Sequence, residues 1–141
     1  MQALTQKIVH AITELGITHF ISGMALGVDL DFAKIVLSLR DNVYHTITLE
    51  CDVPCPNQTL KWSSADKLKY ESILKRADKI NIIEERHSPD CMLKRNRYMV
   101  DNSQLVIAVF NGIEHGGTWY TIKYARKTNT AIELIDLCGL K

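Results

Sequence analysis

The chain alternates short apolar runs with amphipathic stretches, and this alternation restricts it to a small set of folds. Strand-like runs are THFIS, YHTITLE, KINII, QLVIAVF and AIELIDL. Helical spacing of apolar residues covers 2–15, 28–40, 63–77, 91–102 and 118–127. Because strands and helices alternate, the sequence predicts an α/β fold: a Rossmann-like three-layer sandwich with a mostly parallel five-stranded sheet and helices on both faces.

Size and charge narrow the classes of function. With 141 residues, 46% of them hydrophobic and 23% charged, the chain is expected to form a single domain over 1–141. A net charge of +1 gives no general attraction to nucleic acid or to anionic membranes. No run of eighteen apolar residues and no secretory signal is present, so we expect a cytoplasmic protein with reduced cysteines.

Ligands of parallel α/β sheets bind beyond the carboxyl ends of the strands, which directs attention to three loops. They are SGMALGVD, ECDVPCPNQTLKW and NGIEHGGTWYT. In the first loop, Gly23 and Gly27 lie between a strand and a helix, where bare amides and the helix dipole favour an anion. The alternative is that these glycines only permit tight packing of helix on strand.

The third loop repeats this arrangement after the most apolar strand. Gly116 and Gly117 permit close approach of a ligand, and Thr118 offers a hydroxyl group. Trp119 is suited either to stacking on a nucleobase or ribose or to covering the sheet edge. Neither glycine loop has the lysine of a P-loop or the spacing of the dinucleotide fingerprint.

Two further groups of residues are ambiguous from spacing alone. Arg95 and Asp101 lie in the helical segment LKRNRYMVDNS, whose charges are typical of a solvated face. Cysteine and histidine spacing is compatible with zinc, but paired CxxC motifs are absent and buried thiols often serve as apolar fillers, so no metal and no cofactor are expected. The residues concerned are Cys51, Cys55, His87 and Cys91.

Four stretches, FISGMALGVDLDFAKIVL, CPNQTLKW, CMLKRNRYMVDNSQLVIAVFNG and GGTWYTIKYARK, resemble in their order the YpsA-like branch of the SLOG superfamily. That superfamily is named for the Smf/DprA and LOG proteins, and its Rossmann-like domains bind nucleotides or related ligands at glycine loops. The resemblance implies a binding site of twelve residues. They are Ser22, Gly23, Met24, Ala25, Gly27, Arg95, Asn96, Asp101, Gly116, Gly117, Thr118 and Trp119.

This sequence departs from the family pattern in two places. YpsA-like members carry a strand with a GHRP-type loop ahead of the first helix, and this sequence has no counterpart, so we expect an open cleft or one completed by a second subunit or partner chain. LOG-type enzymes carry a glutamate in PGGxGTxxE, and Thr121 stands at that position in HGGTWYT. The acid/base group of those enzymes is therefore missing.

These features predict binding without catalysis. The expected ligand is a nucleotide or an NAD- or ADP-ribose-derived molecule, held by a sensor or sequestering protein, and the analogy with SLOG domains of conflict systems suggests a phage or mobile element acting on defence signalling. The alternative is a LOG-like nucleoside monophosphate phosphoribohydrolase that uses Asp29, Glu114 or Asp101. A DNA-processing scaffold is disfavoured by the neutral charge. We expect a homo-oligomer, a dimer or higher, because SLOG relatives commonly pair.

Overall fold

The computed structural model describes residues 2–137 and contains five helices and five strands in this range. The helices are α1 Gln2–Thr13, α2 Val28–Asn42, α3 Ser64–Arg76, α4 Cys91–Asp101 and α5 Gly117–Lys127. The strands are β1 His19–Ser22, β2 Thr48–Val53, β3 Lys79–Ile82, β4 Leu105–Phe110 and β5 Ala131–Asp136. The predicted α/β alternation is therefore confirmed.

Strand β2 differs from its predicted position, 44–50. It begins at Thr48, because the amides of Val43 and Tyr44 both bond to the Leu39 carbonyl and turn the chain. It continues past Glu50 through a run of buried residues to Val53. Polar residues therefore lie inside this strand, although the apolar pattern alone predicted that the strand ends at Glu50.

The strands form two parallel sheets, and the prediction of one five-stranded sheet is wrong. One sheet has the order β1-β2-β3, with Ser22 opposite Cys51 and Val53 opposite Ile82. The other pairs β4 with β5, from Leu105 opposite Ala131 to Phe110 opposite Asp136. The sheet is divided because β1 and β4 do not pair with each other.

A slot separates β1 from β4. Every residue from 16 to 22 and every residue from 102 to 109 lines the cavity between them. Successive residues of a strand point to opposite faces, so a cavity over one face would be lined by alternate residues only. Lining by consecutive residues means that the cavity lies in the plane of the sheet, between two strand edges. We call this opening the slot.

The helices cover two faces. Helix α2 contacts α1, α3, β1 and β2, whereas α4 contacts α5. The core joins Leu30 and Val36 of α2 to Leu49 and Cys51 of β2, and Leu4 and Ile8 of α1 pack into the same cluster. Glu50 and Asp52 alternate with these apolar residues of β2 and therefore point to the face covered by α4. Within residues 2–137, no helix combines the length and apolar composition needed to cross a bilayer.

The slot predicts a pattern of amide hydrogen exchange. Alternate amides of β1 and β4 point into the slot without a ladder partner, whereas β2 is paired on both sides. We expect protection in NMR exchange to alternate along β1 and β4 and to be continuous along β2. Uniform protection of β1 and β4 at low protein concentration would contradict an open slot, and alternation lost at high concentration would indicate self-association through it.

Candidate ligand-binding site

A cavity of about 560 Å³ extends from the slot to the first turns of α2 and α5. Its volume is within the usual range for small-molecule sites. At its outer end it is lined by residues of both glycine loops and of α4. They are Ser22, Ala25, Asp29, Arg95, Asn96, Gly117 and Thr118. The two loops predicted from sequence therefore meet at one cavity.

The first glycine loop is held in shape by its own hydrogen bonds. Ser22 Oγ accepts the Met24 amide at 3.2 Å and donates to the Asp29 carbonyl at 2.9 Å. Asp29 Oδ2 accepts the Ala25 amide at 3.2 Å. Met24 has a left-handed φ of 59°, rare for a residue other than glycine, and Gly27 has a φ of 91°. The amides of Met24 and Ala25 are thus used within the loop, and the first turn of α2 lines the cavity.

Arg95 braces this loop from below. The residue is 3% exposed, and its Nη1 donates to the Gly23 carbonyl. A Cβ atom on Gly23 would lie 2.9 Å from three guanidinium atoms, so any side chain there would force the buried guanidinium to move. Burial raises the pKa of Asp29, while the positive charge of Arg95 opposes that rise. The charge pattern of α4 is typical of a solvated face, but Arg95 is buried and lines the cavity.

Asn96, the next residue, lies between Arg95 and the start of α5. Its Oδ1 accepts from Arg95 Nε at 2.8 Å. A Cβ atom added to Gly117 would lie 3.7 Å from Asn96 Nδ2, so this side chain lies beside the second glycine loop. Adjacent residues of α4 thus lie beside one loop each.

Both helices that point at the cavity begin at glycine. Gly27 precedes α2 and Gly116 precedes α5, each without a side-chain hydrogen bond to the first turn. Helix α3, by contrast, is capped by Ser63, which accepts the Asp66 amide at 3.1 Å. Helix starts without such caps leave amide donors and a partial positive charge for an anionic group.

The remaining predicted site residues lie elsewhere. Met24 is fully buried beneath its loop. Asp101, near the far end of α4, accepts from the Tyr124 hydroxyl at 2.8 Å and does not line the cavity. Trp119 stacks on Phe110 with ring centroids 5.5 Å apart. Gly116 and Trp119 line a second hollow, shared with Lys123, and Gly117 borders both spaces.

The sequence interpretation missed a buried acidic pair on β2. Asp52 is fully buried, and within residues 2–137 neither of its carboxyl oxygens has a hydrogen-bond partner. Burial and the neighbouring Glu50 raise the pKa of Asp52 to about 8. Burial opposes ionisation of Glu50 too, but contacts with Asp52 and His19 outweigh it and lower the pKa of Glu50; His19 Nε2 is 2.8 Å from Glu50 Oε1. The sequence did contain a signal for this pair: two acidic residues, two positions apart, within an otherwise apolar strand.

Comparison with known proteins shows which family and which relatives this chain is similar to. A family model described as the YspA SLOG family matches residues 1–139. An uncharacterized SPbeta prophage-derived protein, YoqJ of Bacillus subtilis (strain 168), is 34% identical over 145 residues, covering 91% of this chain and 83% of the relative. A UPF0398 protein of Halalkalibacterium halodurans is 30% identical, covering 89% and 67%. A UPF0398 protein of Bacillus pumilus is 27% identical, covering 100% and 77%.

The contact between Gly23 and Arg95 predicts that adding one methyl group at position 23 lowers the stability of the fold. Gly23→Ala would force the buried guanidinium to move, and we expect it to lower the free energy of unfolding by about 1–3 kcal/mol in urea denaturation. Gly117→Ala is the matched control, because its Cβ meets only ordinary contacts, and its effect should stay within about 0.5 kcal/mol. Equal losses in the two variants would contradict the bracing role of Arg95.

The raised pKa of Asp52 predicts a pH-dependent stability. The folded carboxyl group keeps its proton up to about pH 8, whereas the unfolded one loses it near pH 4, so deprotonation favours unfolding between these values. Asp52→Asn has no titratable group at this position and therefore lacks this pH-dependent loss of stability. Its stability relative to the wild type should therefore rise with pH across that window, by up to about 1.4 kcal/mol per unit, and level off above it.

The comparison is made by urea denaturation at several pH values, with the exposed Glu85→Gln as control. Parallel stability curves for wild type and Asp52→Asn between about pH 5 and 8 would contradict a protonated Asp52.

Proposed function

The chain belongs to the YspA SLOG family, and from this we propose that it binds a nucleotide or an ADP-ribose-type molecule in the cavity between its glycine loops. The bound molecule is held without chemical turnover, so that the protein acts as a sensor or sequesters its ligand. Family membership suggests the nucleotide-related role, and the geometry of the cavity supports the finer statement.

The observation that carries the proposal is the pair Arg95 and Asn96. Helix α4 connects the three-stranded sheet to the two-stranded sheet; Arg95 contacts Gly23, and Asn96 lies beside Gly117. Two uncapped helix starts border one cavity next to these residues, an arrangement suited to a phosphate or diphosphate group. Arg95 adds positive charge without projecting into solvent.

The inner cavity suits the less polar part of such a molecule. Phe20, Phe32 and Met99 line it together with aliphatic residues of the slot. A nucleobase or ribose would bury its rings against this lining while the phosphate faces the glycine loops. A fully charged ligand such as free diphosphate would leave the apolar half of the cavity without a partner.

The lining also favours binding over catalysis. Thr121, at the position where LOG-type enzymes carry their glutamate, lines the cavity, and Asp29 is the one acidic residue of the described lining. The Asp29 carboxylate already accepts the Ala25 amide within the loop. A glycosidic bond placed here meets no pair of groups arranged as acid and base.

The biological setting follows by analogy with one relative. YoqJ is described as a prophage-derived protein, and it is similar to this chain over 91% of the chain's length. We propose that this protein likewise originates from a phage or mobile element and removes or senses a nucleotide signal of host defence. A homo-oligomer is part of the proposal, because two unpaired strand edges border the slot and a second copy is one source of polypeptide for them.

A second candidate function is a nucleoside monophosphate phosphoribohydrolase. One observation favours it: burial raises the pKa of Asp29, which lines the cavity, and a carboxyl group with a raised pKa is suited to protonate a leaving base. Asp29→Asn would then abolish release of free base while ligand binding persists.

The proposal predicts stabilisation by an intact ligand. In a thermal-shift screen of nucleotides, NAD, ADP-ribose and cyclic ADP-ribose, a ligand at a hundred times its Kd should stabilise the fold by about 2.7 kcal/mol, or several degrees in Tm. Recovered ligand is analysed for chemical change. Intact ligand supports a sensor or sequestering protein, and ligand cleaved by the wild type but not by Asp29→Asn establishes the enzyme.

Two variants locate the binding site. Asn96→Ala should weaken binding by about tenfold or more, because Asn96 lines the cavity beside the start of α5. Lys123→Ala, beside the second hollow, should leave affinity unchanged. The reverse result would move the site to the hollow beside Trp119, and no shift with any ligand in the screen would overturn the proposal.

A further inference from the structure

Three metal-ligating side chains come together at a place outside the cavity. Cys55 follows β2, Cys91 is the first residue of α4, and His87 lies on the connection that leads into α4. The two Sγ atoms are 3.5 Å apart, and one ligand atom of each of the three residues lies within 4.8 Å of the others. Both thiols are buried and His87 is exposed. We call these residues the thiol–imidazole cluster.

We propose that the thiol–imidazole cluster binds a zinc ion through the two sulfurs and one imidazole nitrogen, with a fourth position open to solvent. Soft thiolate ligands combined with imidazole select zinc over the hard cations that prefer oxygen. The sequence argument against zinc relied on the absence of CxxC pairs, and the fold supplies the proximity that the spacing lacks.

The distances fit a tetrahedral site with little movement. Two thiolates at about 2.3 Å from one tetrahedral zinc ion lie about 3.8 Å apart. The observed separation of 3.5 Å differs from this by a few tenths of an ångström. The imidazole nitrogen must approach more closely than in the structure, and the exposed His87 ring is free to do so by rotation about its side-chain bonds.

Burial raises the pKa of the Cys55 thiol, and the neighbouring Cys91 and Glu84 act in the same direction, so a metal has to displace the thiol protons. Cys91 is the first residue of α4, whose Asp90 cap residue makes no side-chain hydrogen bond to the first turn. Glu84 lies near Cys55 and is held by Lys94, with Nζ and Oε1 3.3 Å apart. A divalent cation would find a carboxylate beside the open position.

Binding of zinc to the thiol–imidazole cluster releases protons. One Zn²⁺ displaces one proton from each of the two thiols and uses neutral imidazole, so two protons leave and no electrons are exchanged. The bound ion would join the loop after β2 to the start of α4. Arg95 lies one helical turn beyond Cys91, so this link would fix the start of the helix that contacts the first glycine loop.

The test uses the reduced, chelator-treated full chain titrated with Co²⁺. We expect one Co²⁺ per chain, a thiolate-to-cobalt charge-transfer band in the near ultraviolet, and its loss on addition of Zn²⁺. Cys55→Ser and Cys91→Ser should abolish the band. His87→Ala, a change at an exposed position, should keep the fold and weaken Zn²⁺ binding about tenfold or more.

Cys51→Ala is the matched control, because Cys51 is buried on β2 and is not part of the cluster. Circular dichroism of every variant separates loss of the metal from loss of the fold. No cobalt band in protein with all thiols reduced would overturn the proposal. A band unchanged in Cys55→Ser and Cys91→Ser would do so too, as would a Cys55–Cys91 disulfide whose reduction restores no metal binding.

Discussion

The buried guanidinium of Arg95 is the interaction on which the rest of the site depends. A cation with 3% exposure is stable only when acceptors and opposing charge lie beside it, and here the Gly23 carbonyl accepts from the guanidinium while Asp29 contributes opposing charge. A side chain at Gly23 would displace this guanidinium, and Arg95 Nε also donates to Asn96, which lies beside the second loop. One residue thus favours glycine in the first loop and holds its neighbour next to the second. Because the charge lies beneath the cavity, it contributes to the potential there while its own hydrogen bonds remain with the protein.

The arrangement of secondary structure was largely predictable from sequence, because strand composition and helical periodicity are local signals. Helix α3 and strands β1 and β3 lie within one or two residues of their predicted limits. The convergence of the two glycine loops was also predictable, since parallel strands bring their carboxyl ends to one edge. The division of the sheet was not, because strand order and missing neighbours depend on long-range contacts. Glu50 and Asp52 were overlooked for a related reason: polar residues normally end a strand, whereas here Glu50 pairs with His19 and burial keeps Asp52 protonated.

Cysteine placement illustrates the limit of spacing arguments. Thirty-six positions separate Cys55 from Cys91, yet the fold brings their sulfurs to 3.5 Å. Motif rules detect ligands contributed by one or two short segments, and they have no means of detecting a pair made by a strand end and a distant helix start. The family resemblance identified the same residues as parts of larger motifs without giving them a role. Only the three-dimensional arrangement separates Cys55 and Cys91 from Cys51, which is buried nearby on β2.

The slot has a mechanical consequence. Backbone ladders within each sheet are stiff, but no ladder joins β1–β3 to β4–β5, so the two halves are coupled mainly through side chains of the shared core and through α4. The first glycine loop belongs to one half and the second to the other. A ligand bound as proposed would therefore join two halves that share no backbone ladder, and its binding would reduce their independent opening. The rigidity of the fold would then depend on whether the cavity is filled.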